Sequence, residues 1–233
     1  MNREISLQKV IGKGYGPLWK STKRYVVVKG SRASKKSTTA ALKIIVRMMQ
    51  MPLANTLVVR QTAASLKDSC FTQLRWAIDR LGVSHLWKAR VSPLELEYIP
   101  TGQKILFRGL DDVLKVTSIT VKAGVLCWGL LEEAYEVDED DFNRVDESLR
   151  GQLPEGYYVQ WLIIFNPWSS TSWLKRRFFD MPSDNVLAMT TNYKCNEWLS
   201  ETDLAMFEEM KKTDPERYKV AGLGKTFAQY KRA

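Results

Sequence analysis

Residues 30–38 read Gly-Ser-Arg-Ala-Ser-Lys-Lys-Ser-Thr and follow directly on the apolar run Tyr25-Val-Val-Val-Lys29. An apolar strand, a turn of small residues, then Lys and Ser at a helix entry is the layout of a phosphate-binding loop, G-x-x-x-x-G-K-[ST]. Gly30, Lys36 and Ser37 fill three of its four fixed places, and Lys35 stands where the second glycine is expected. Successive backbone N–H groups from Gly30, Ser31, Arg32, Ala33, Ser34, Lys35, Lys36, Ser37 and Thr38 would surround a phosphate at the positive end of a helix dipole. Lys36 would reach the β- and γ-phosphates of ATP, and the Ser37 hydroxyl would hold magnesium. A side chain at position 35 must accept whatever φ and ψ the turn imposes, which weakens the match. Taken by itself, the segment also fits an ordinary basic strand-to-helix turn.

A second constellation changes that balance. Gly124-Val-Leu-Cys-Trp-Gly-Leu-Leu131 is an apolar run that ends directly in Glu132-Glu133. In nucleotide hydrolases with this layout the first acid, Glu132, serves magnesium. The second, Glu133, takes the proton of the attacking water. Neighbouring carboxylates suit the division, because one is tied to the metal while the other stays free as a base. Beyond the next apolar run, Ile163-Ile-Phe165 leads into Asn166-Pro167. Asn166 could report whether the γ-phosphate is intact, or it could simply begin an Asn-Pro turn.

The elements that must carry these groups read as alternating strands and helices. Strands are expected at Tyr25–Lys29 and Thr56–Arg60, at Leu94–Ile99 and Gln103–Phe107 as a hairpin, and at Val125–Leu131 and Val159–Phe165. A helix over residues 37–51 places Ala40, Ala41, Ile44, Ile45, Met48 and Met51 on one face and Lys43 and Arg47 opposite, with Pro52 closing it. A second helix runs through Phe71, Leu74, Ile78 and Leu81 to Gly82. This order predicts an α/β fold with a mostly parallel central sheet flanked by helices. Three units are expected: a basic N-terminal segment over 1–24, a core over 25–180, and a small polar C-terminal subdomain over 181–233, broken by Pro182 and Pro215.

Composition narrows the classes. The 233 residues are 45% hydrophobic, enough for a full core, and no apolar run reaches the ~18 residues of a membrane span. Cys70, Cys127 and Cys195 are scattered and suggest neither a disulfide nor a zinc framework. His85 is the single histidine and reads as a loop residue, so multi-histidine metal chemistry is excluded. The net charge is +9, yet residues 1–60 hold thirteen Lys or Arg against one acid, Glu4. That asymmetry points to a polyanion near the N-terminal third. The acids around Asp138–Asp141 read as a solvated loop.

The ordered set Gly30-Ser-Arg-Ala-Ser-Lys-Lys-Ser37, Val58-Val-Arg-Gln-Thr62, Phe107-Arg-Gly-Leu-Asp-Asp112, Leu131-Glu-Glu-Ala134 and Phe165-Asn-Pro-Trp168 resembles the ATPase portion of the large terminase subunit of tailed bacteriophages. The resemblance runs from about Tyr25 to Leu223. It implies a P-loop NTPase of the additional-strand, conserved-glutamate type, with Glu133 as catalytic glutamate and Asn166 in the coupling motif. An arginine inside the loop is habitual there, which gives Arg32 a catalytic place beside Lys36, and lysine is a known variant of the second glycine. Glu132 departs mildly, since aspartate is the more usual metal-side acid.

The resemblance also implies a motor that uses ATP and Mg²⁺ to drive double-stranded DNA into a procapsid in the host cytoplasm. Its implied partners are a portal protein, a small terminase subunit and further copies of the chain in a ring. A trans-acting cation would then come from Lys115, Lys122 or Arg150. Family members carry a second, nuclease domain, which is not expected in this sequence; the C-terminal subdomain would be a lid or linker toward it. A helicase or remodelling ATPase and a non-hydrolysing DNA-binding module remain the alternatives. The base pocket is open: Tyr15 and Trp19 read as core residues first and as stacking partners second.

Overall fold

The computed structural model describes residues 6, 9–112, 116, 119–167, 172–181 and 183–225; Lys115, Trp168 and Pro182 lie outside them. The apolar runs form strands β1 (Tyr25–Gly30), β2 (Ala54–Arg60), β6 (Val125–Glu132) and β7 (Gln160–Phe165). Trp87–Val91 (β3), Leu94–Tyr98 (β4) and Gln103–Gly109 (β5) form an antiparallel corner, and Val186–Thr191 (β8) completes the sheet. The order is β3-β4-β5-β2-β6-β7-β1-β8, parallel from β5 to β8. Strand alternation sends Val26, Val28 and Val58 to one face and Val27, Leu57 and Val59 to the other, and both faces are covered. Helices α2 (Lys36–Gln50) and α3 (Thr72–Arg80) cover the first face, and α4 (Glu139–Asp146) the second.

Because β1, β2, β6, β7 and β8 run the same way, Gly30, Arg60, Glu132, Phe165 and Thr191 all end at one edge of the sheet. Gly30 stands opposite Thr191, Lys29 opposite Phe165, and Glu132 opposite Ile164. In open α/β sheets that carboxyl edge is where ligands bind.

Four expectations need correction. The boundary at 180/181 falls before β8, which pairs with β1 along its whole length. Val186–Thr191 was hidden because its apolar run, Val186–Met189, is only four residues long and gives way to two threonines, with most of the strand partly exposed at the sheet edge. The segment 1–24 is more than a basic tail, since Val10, Tyr15 and Leu18 are buried in the main core. The acids at 139–141 open α4 instead of lying in a loop. There they favour the helix N-terminus electrostatically, and Glu139 pairs with Arg176 and Arg177.

The fourth correction concerns Lys43, placed by its spacing opposite the apolar face of α2 but only 2% exposed. The N-terminal segment, including the short helix α1 (Gly16–Lys20), lies over it. Its ammonium donates to Leu18 O at 2.9 Å, Ser21 O at 2.9 Å and Gln160 Oε1 at 2.6 Å, which uses all three N–H bonds. Burial, reinforced by Arg47, pushes its pKa down to about 7. Lys43 therefore staples the N-terminal segment to α2 and β7; Leu18 O and Gln160 Oε1 would lose their donor without it, while Ser21 O also accepts from Gln160 Nε2 at 3.0 Å.

Candidate active site

Everything from β1 to the first turn of α2 is shaped as a cradle. A Cβ on Gly30 would come within 2.3 Å of Thr191 Oγ1, so only glycine lets β1 turn into the loop beside β8. Ala33 and Lys35 hold positive φ, 58° and 65°. Each such non-glycine position costs roughly 1–3 kcal/mol unless its surroundings enforce it. Those surroundings are visible. Tyr15 Oη donates to Ser34 O at 2.6 Å, Asn196 Nδ2 to Ala33 O at 3.0 Å, and Lys35 Nζ to Val10 O at 3.0 Å. The Lys35 ammonium also sits 3.4 Å from the Trp198 ring centroid.

Lys35 is the N-cap of α2 and no side chain caps that end. The free N–H groups of the first turn, around Lys36, Ser37 and Thr38, therefore remain available to an anion. Lys36 Nζ folds back to Ser31 O at 3.1 Å and reaches Asn166 Oδ1 at 2.6 Å. Burial pushes the Lys36 pKa down to about 8; the charge of Glu132 opposes the fall and Arg32 adds to it. Arg32 itself is exposed at the mouth of the loop.

The two acids are separated by a backbone twist. Glu132 is the last residue of β6, whereas Glu133 adopts φ 52°, ψ 42° in the left-handed region. That turn sends neighbouring carboxylates to different partners. Glu132 Oε2 accepts a hydrogen bond from the Cys70 thiol at 2.9 Å. Glu133 pairs with Arg60, at the end of β2, and its side chain stays 40% exposed. Arg60 is held in turn by Ser69 Oγ at 2.9 Å and Ser65 O at 3.4 Å. A hydroxyl from Ser37 and a carboxylate from Glu132 are the hard oxygen donors that magnesium takes, alongside waters and phosphate oxygens.

The sequence reading brought Lys36, Asn166, Glu132 and Glu133 to this edge, and missed Arg60 and Cys70 as members of the site. Arg60 did leave a trace, a charge that closes an apolar strand in Val58-Val-Arg60. Of the cations considered for a neighbouring subunit, Lys122 and Arg150 are exposed. Lys122 lies just before β6 begins, at the sheet edge opposite Glu132.

Beside the cradle lies a cavity of about 450 Å³ lined by Lys9, Val10, Lys35, Thr38, Trp76, Arg80, Asn196 and Trp198. Trp76 and Trp198 are 39% and 48% exposed. Tyr15 is fully buried and Trp19 packs against the core, so neither lines this cavity.

Residues 22–225 match the sequence profile described as phage terminase large subunit. The chain belongs to the phage terminase large subunit family. The large terminase subunit of Bacillus phage SPP1 is 37% identical over 203 residues, covering 85% of this chain and 48% of that protein. The PBSX phage terminase large subunit of Bacillus subtilis strain 168 is 26% identical over 226 residues, covering 89% and 50%. The chain thus spans about half the length of the curated relatives it matches. Among solved structures, the large terminase of a thermophilic bacteriophage in complex with ADP aligns with a TM-score of 0.71 at 16% identity, over 92% of this chain and 53% of that one. The ATPase domain of the Thermus phage P74-26 large terminase aligns with a TM-score of 0.65 at 13% identity, over 97% and 94%. At these identities the likeness establishes the fold of large terminase ATPase domains, the mixed α/β sheet described above.

Proposed function

We propose that this chain binds and hydrolyses ATP with magnesium, and that in a packaging motor the hydrolysis moves double-stranded viral DNA. The observation that carries the reading is the Lys36–Asn166 contact beside Glu132 and Glu133, at the carboxyl edge of a terminase-type sheet. The triphosphate lies on the open N-terminus of α2, with its β- and γ-phosphates toward Lys36 and Arg32. Ser37 and Glu132 are the residues that would hold magnesium, which supplies charge neutralisation on the phosphates when bound. Glu133 takes the proton from the attacking water, and Arg60 fixes where that carboxylate stands before it does so.

Lys36 gives Ser31 O and Asn166 Oδ1 two of its three N–H bonds, and phosphate charge arriving at the third draws the ammonium away from the Asn166 amide oxygen. Phosphate contact therefore loosens the link between the loop and the end of β7, which makes Asn166 a coupling residue in chemical terms. The base occupies the cavity beyond Thr38, stacked on Trp198. The motor reading further assigns portal protein, small terminase subunit and a ring of this chain as partners. Lys122 or Arg150 of a neighbouring copy would serve as the trans cation; Lys115 stays a candidate from sequence alone.

Two outcomes test this. Purified chain should hydrolyse ATP slowly and faster with duplex DNA, and Asn166→Ala should lose the DNA response while still binding ATPγS; equal turnover with and without DNA counts against the motor. Trp198→Ala should raise KM about fivefold or more with kcat nearly kept, the scale of one lost base–aromatic stack. An unchanged KM would place the base elsewhere.

A further inference from the structure

Between β2 and α3 the chain makes one wide turn, Lys67–Phe71, closed by Phe71 N–H to Leu66 O at 3.0 Å. Such π turns inside helices recur at functional sites, because the extra residue changes which side chains face a neighbour. Here the turn is anchored from below. Leu66, Cys70 and Phe71 are buried, and the Phe71 ring meets the Phe107 ring edge-on at 5.4 Å.

From that anchored backbone two consecutive side chains reach one acid each, with Ser69 Oγ also 3.7 Å from Cys70 Sγ. Cys70 donates its thiol hydrogen to Glu132 Oε2. Ser69 Oγ accepts from Arg60 Nη1 at 2.9 Å and donates to Ser65 O at 2.6 Å, while Arg60 pairs through its other terminal nitrogen with Glu133. Cys70 is 1% exposed, and burial first, then the charge of Glu132, pushes its thiol well above the usual range. It stays a neutral donor.

We propose that the π turn Lys67–Phe71 positions both carboxylates, with Cys70 aiming Glu132 at magnesium and Ser69, through Arg60, setting Glu133. This rests on the ATPase reading of the site. A carboxylate with one oxygen fixed by a donor presents the other in one direction, which suits a hard cation that demands near-ideal geometry. An arginine anchored at one terminal nitrogen presents the other with little freedom, so the base it holds is placed to within the fraction of an ångström that catalysis rewards. The two residues act through Glu132 and Arg60, so they are positioning residues, and their losses should differ in kind.

The test uses the whole chain with calorimetric titration of ATPγS at stepped magnesium concentrations, single-turnover hydrolysis, and thermal denaturation to verify folding. Cys70→Ala should raise the magnesium midpoint of nucleotide binding roughly threefold to tenfold, the scale of one ordinary hydrogen bond, because a thiol is a weak donor even to a carboxylate. Affinity without magnesium should stay unchanged, and Cys70→Ser, which restores a donor, should return the midpoint toward wild type. Ser69→Ala should leave the midpoint in place and lower kcat severalfold. A folded Cys70→Ala with a wild-type midpoint, or failure of the serine to rescue it, overturns the proposal. So do parallel losses in both quantities from both variants, which would make the turn a packing element. Absence of magnesium-dependent nucleotide binding in the wild-type chain would overturn the ATPase reading as well.

Discussion

Glu133→Gln is expected to bind ATPγS as wild type does and to hydrolyse ATP at least ~10²-fold more slowly, the usual scale for losing a general base. The amide keeps the size and shape of the side chain, so the left-handed turn at position 133 and the placement of Glu132 are undisturbed. What disappears is the negative charge and with it the capacity to take a proton. Glutamine can still accept a hydrogen bond from Arg60, and Glu136, 4.0 Å from the same guanidinium, remains nearby to balance its charge. The substitution should thus leave folding nearly intact. Single-turnover hydrolysis measured beside an ATPγS titration separates the two effects. Wild-type hydrolysis in Glu133→Gln would move the base to another residue and reduce Arg60–Glu133 to a structural pair.

Lys36→Ala should weaken nucleotide binding about 10- to 10²-fold, since a hydrogen-bonded charge contributes ~1.5–3 kcal/mol, and should slow turnover further. Removing the ammonium also leaves Asn166 Oδ1 and Ser31 O without the donor they share. A pH dependence follows from the same residue. Without phosphates its pKa is depressed to about 8 by burial; phosphate charge raises it in the complex. Binding therefore takes up a proton wherever the free site has lost one. Affinity should be level below about pH 7, fall as pH rises through 8, and level again only above the pKa of the complex. Calorimetry in buffers of different ionisation enthalpy reads that proton directly. Lys36→Ala should abolish the buffer dependence, and a wild-type affinity flat from about pH 7 to 9 would remove Lys36 from the phosphate contacts.

The residues legible in the sequence were those whose chemistry marks a strand end. Lys36 and Ser37 after β1, Glu132 and Glu133 after β6 and Asn166 after β7 break apolar runs with polar groups, and the sheet then lines those ends up. Even the doubt over Lys35 was legible, since the turn does force its φ to 65°. What stayed hidden depends on a partner from elsewhere in the chain. Arg60 and Cys70 acquire meaning only when β2 pairs with β6 and brings them beside Glu133 and Glu132. Lys43 looks solvated by period alone, because the carbonyl groups of Leu18 and Ser21 that bury it are not written in α2. Strands β3 and β8 lie at the two edges of the sheet, where short, partly exposed segments such as Trp87–Val91 and Val186–Thr191 lack the long apolar signal of the central strands.

The moorings of the phosphate loop carry a thermodynamic consequence. Tyr15 and Val10 hold it from one side of the sequence, Asn196 and Trp198 from the other, and between them they keep Ala33 and Lys35 in conformations that neither residue favours. A glycine-rich loop is commonly disordered until its anion arrives and must surrender that freedom on association. This one surrenders it when the chain folds. The conformational entropy of the cradle is charged against the stability of the fold and spared from the affinity for nucleotide. Melting temperature and affinity are thereby coupled through four contacts that never touch the phosphates. Loosening any of them would make the protein a weaker binder without altering its chemistry.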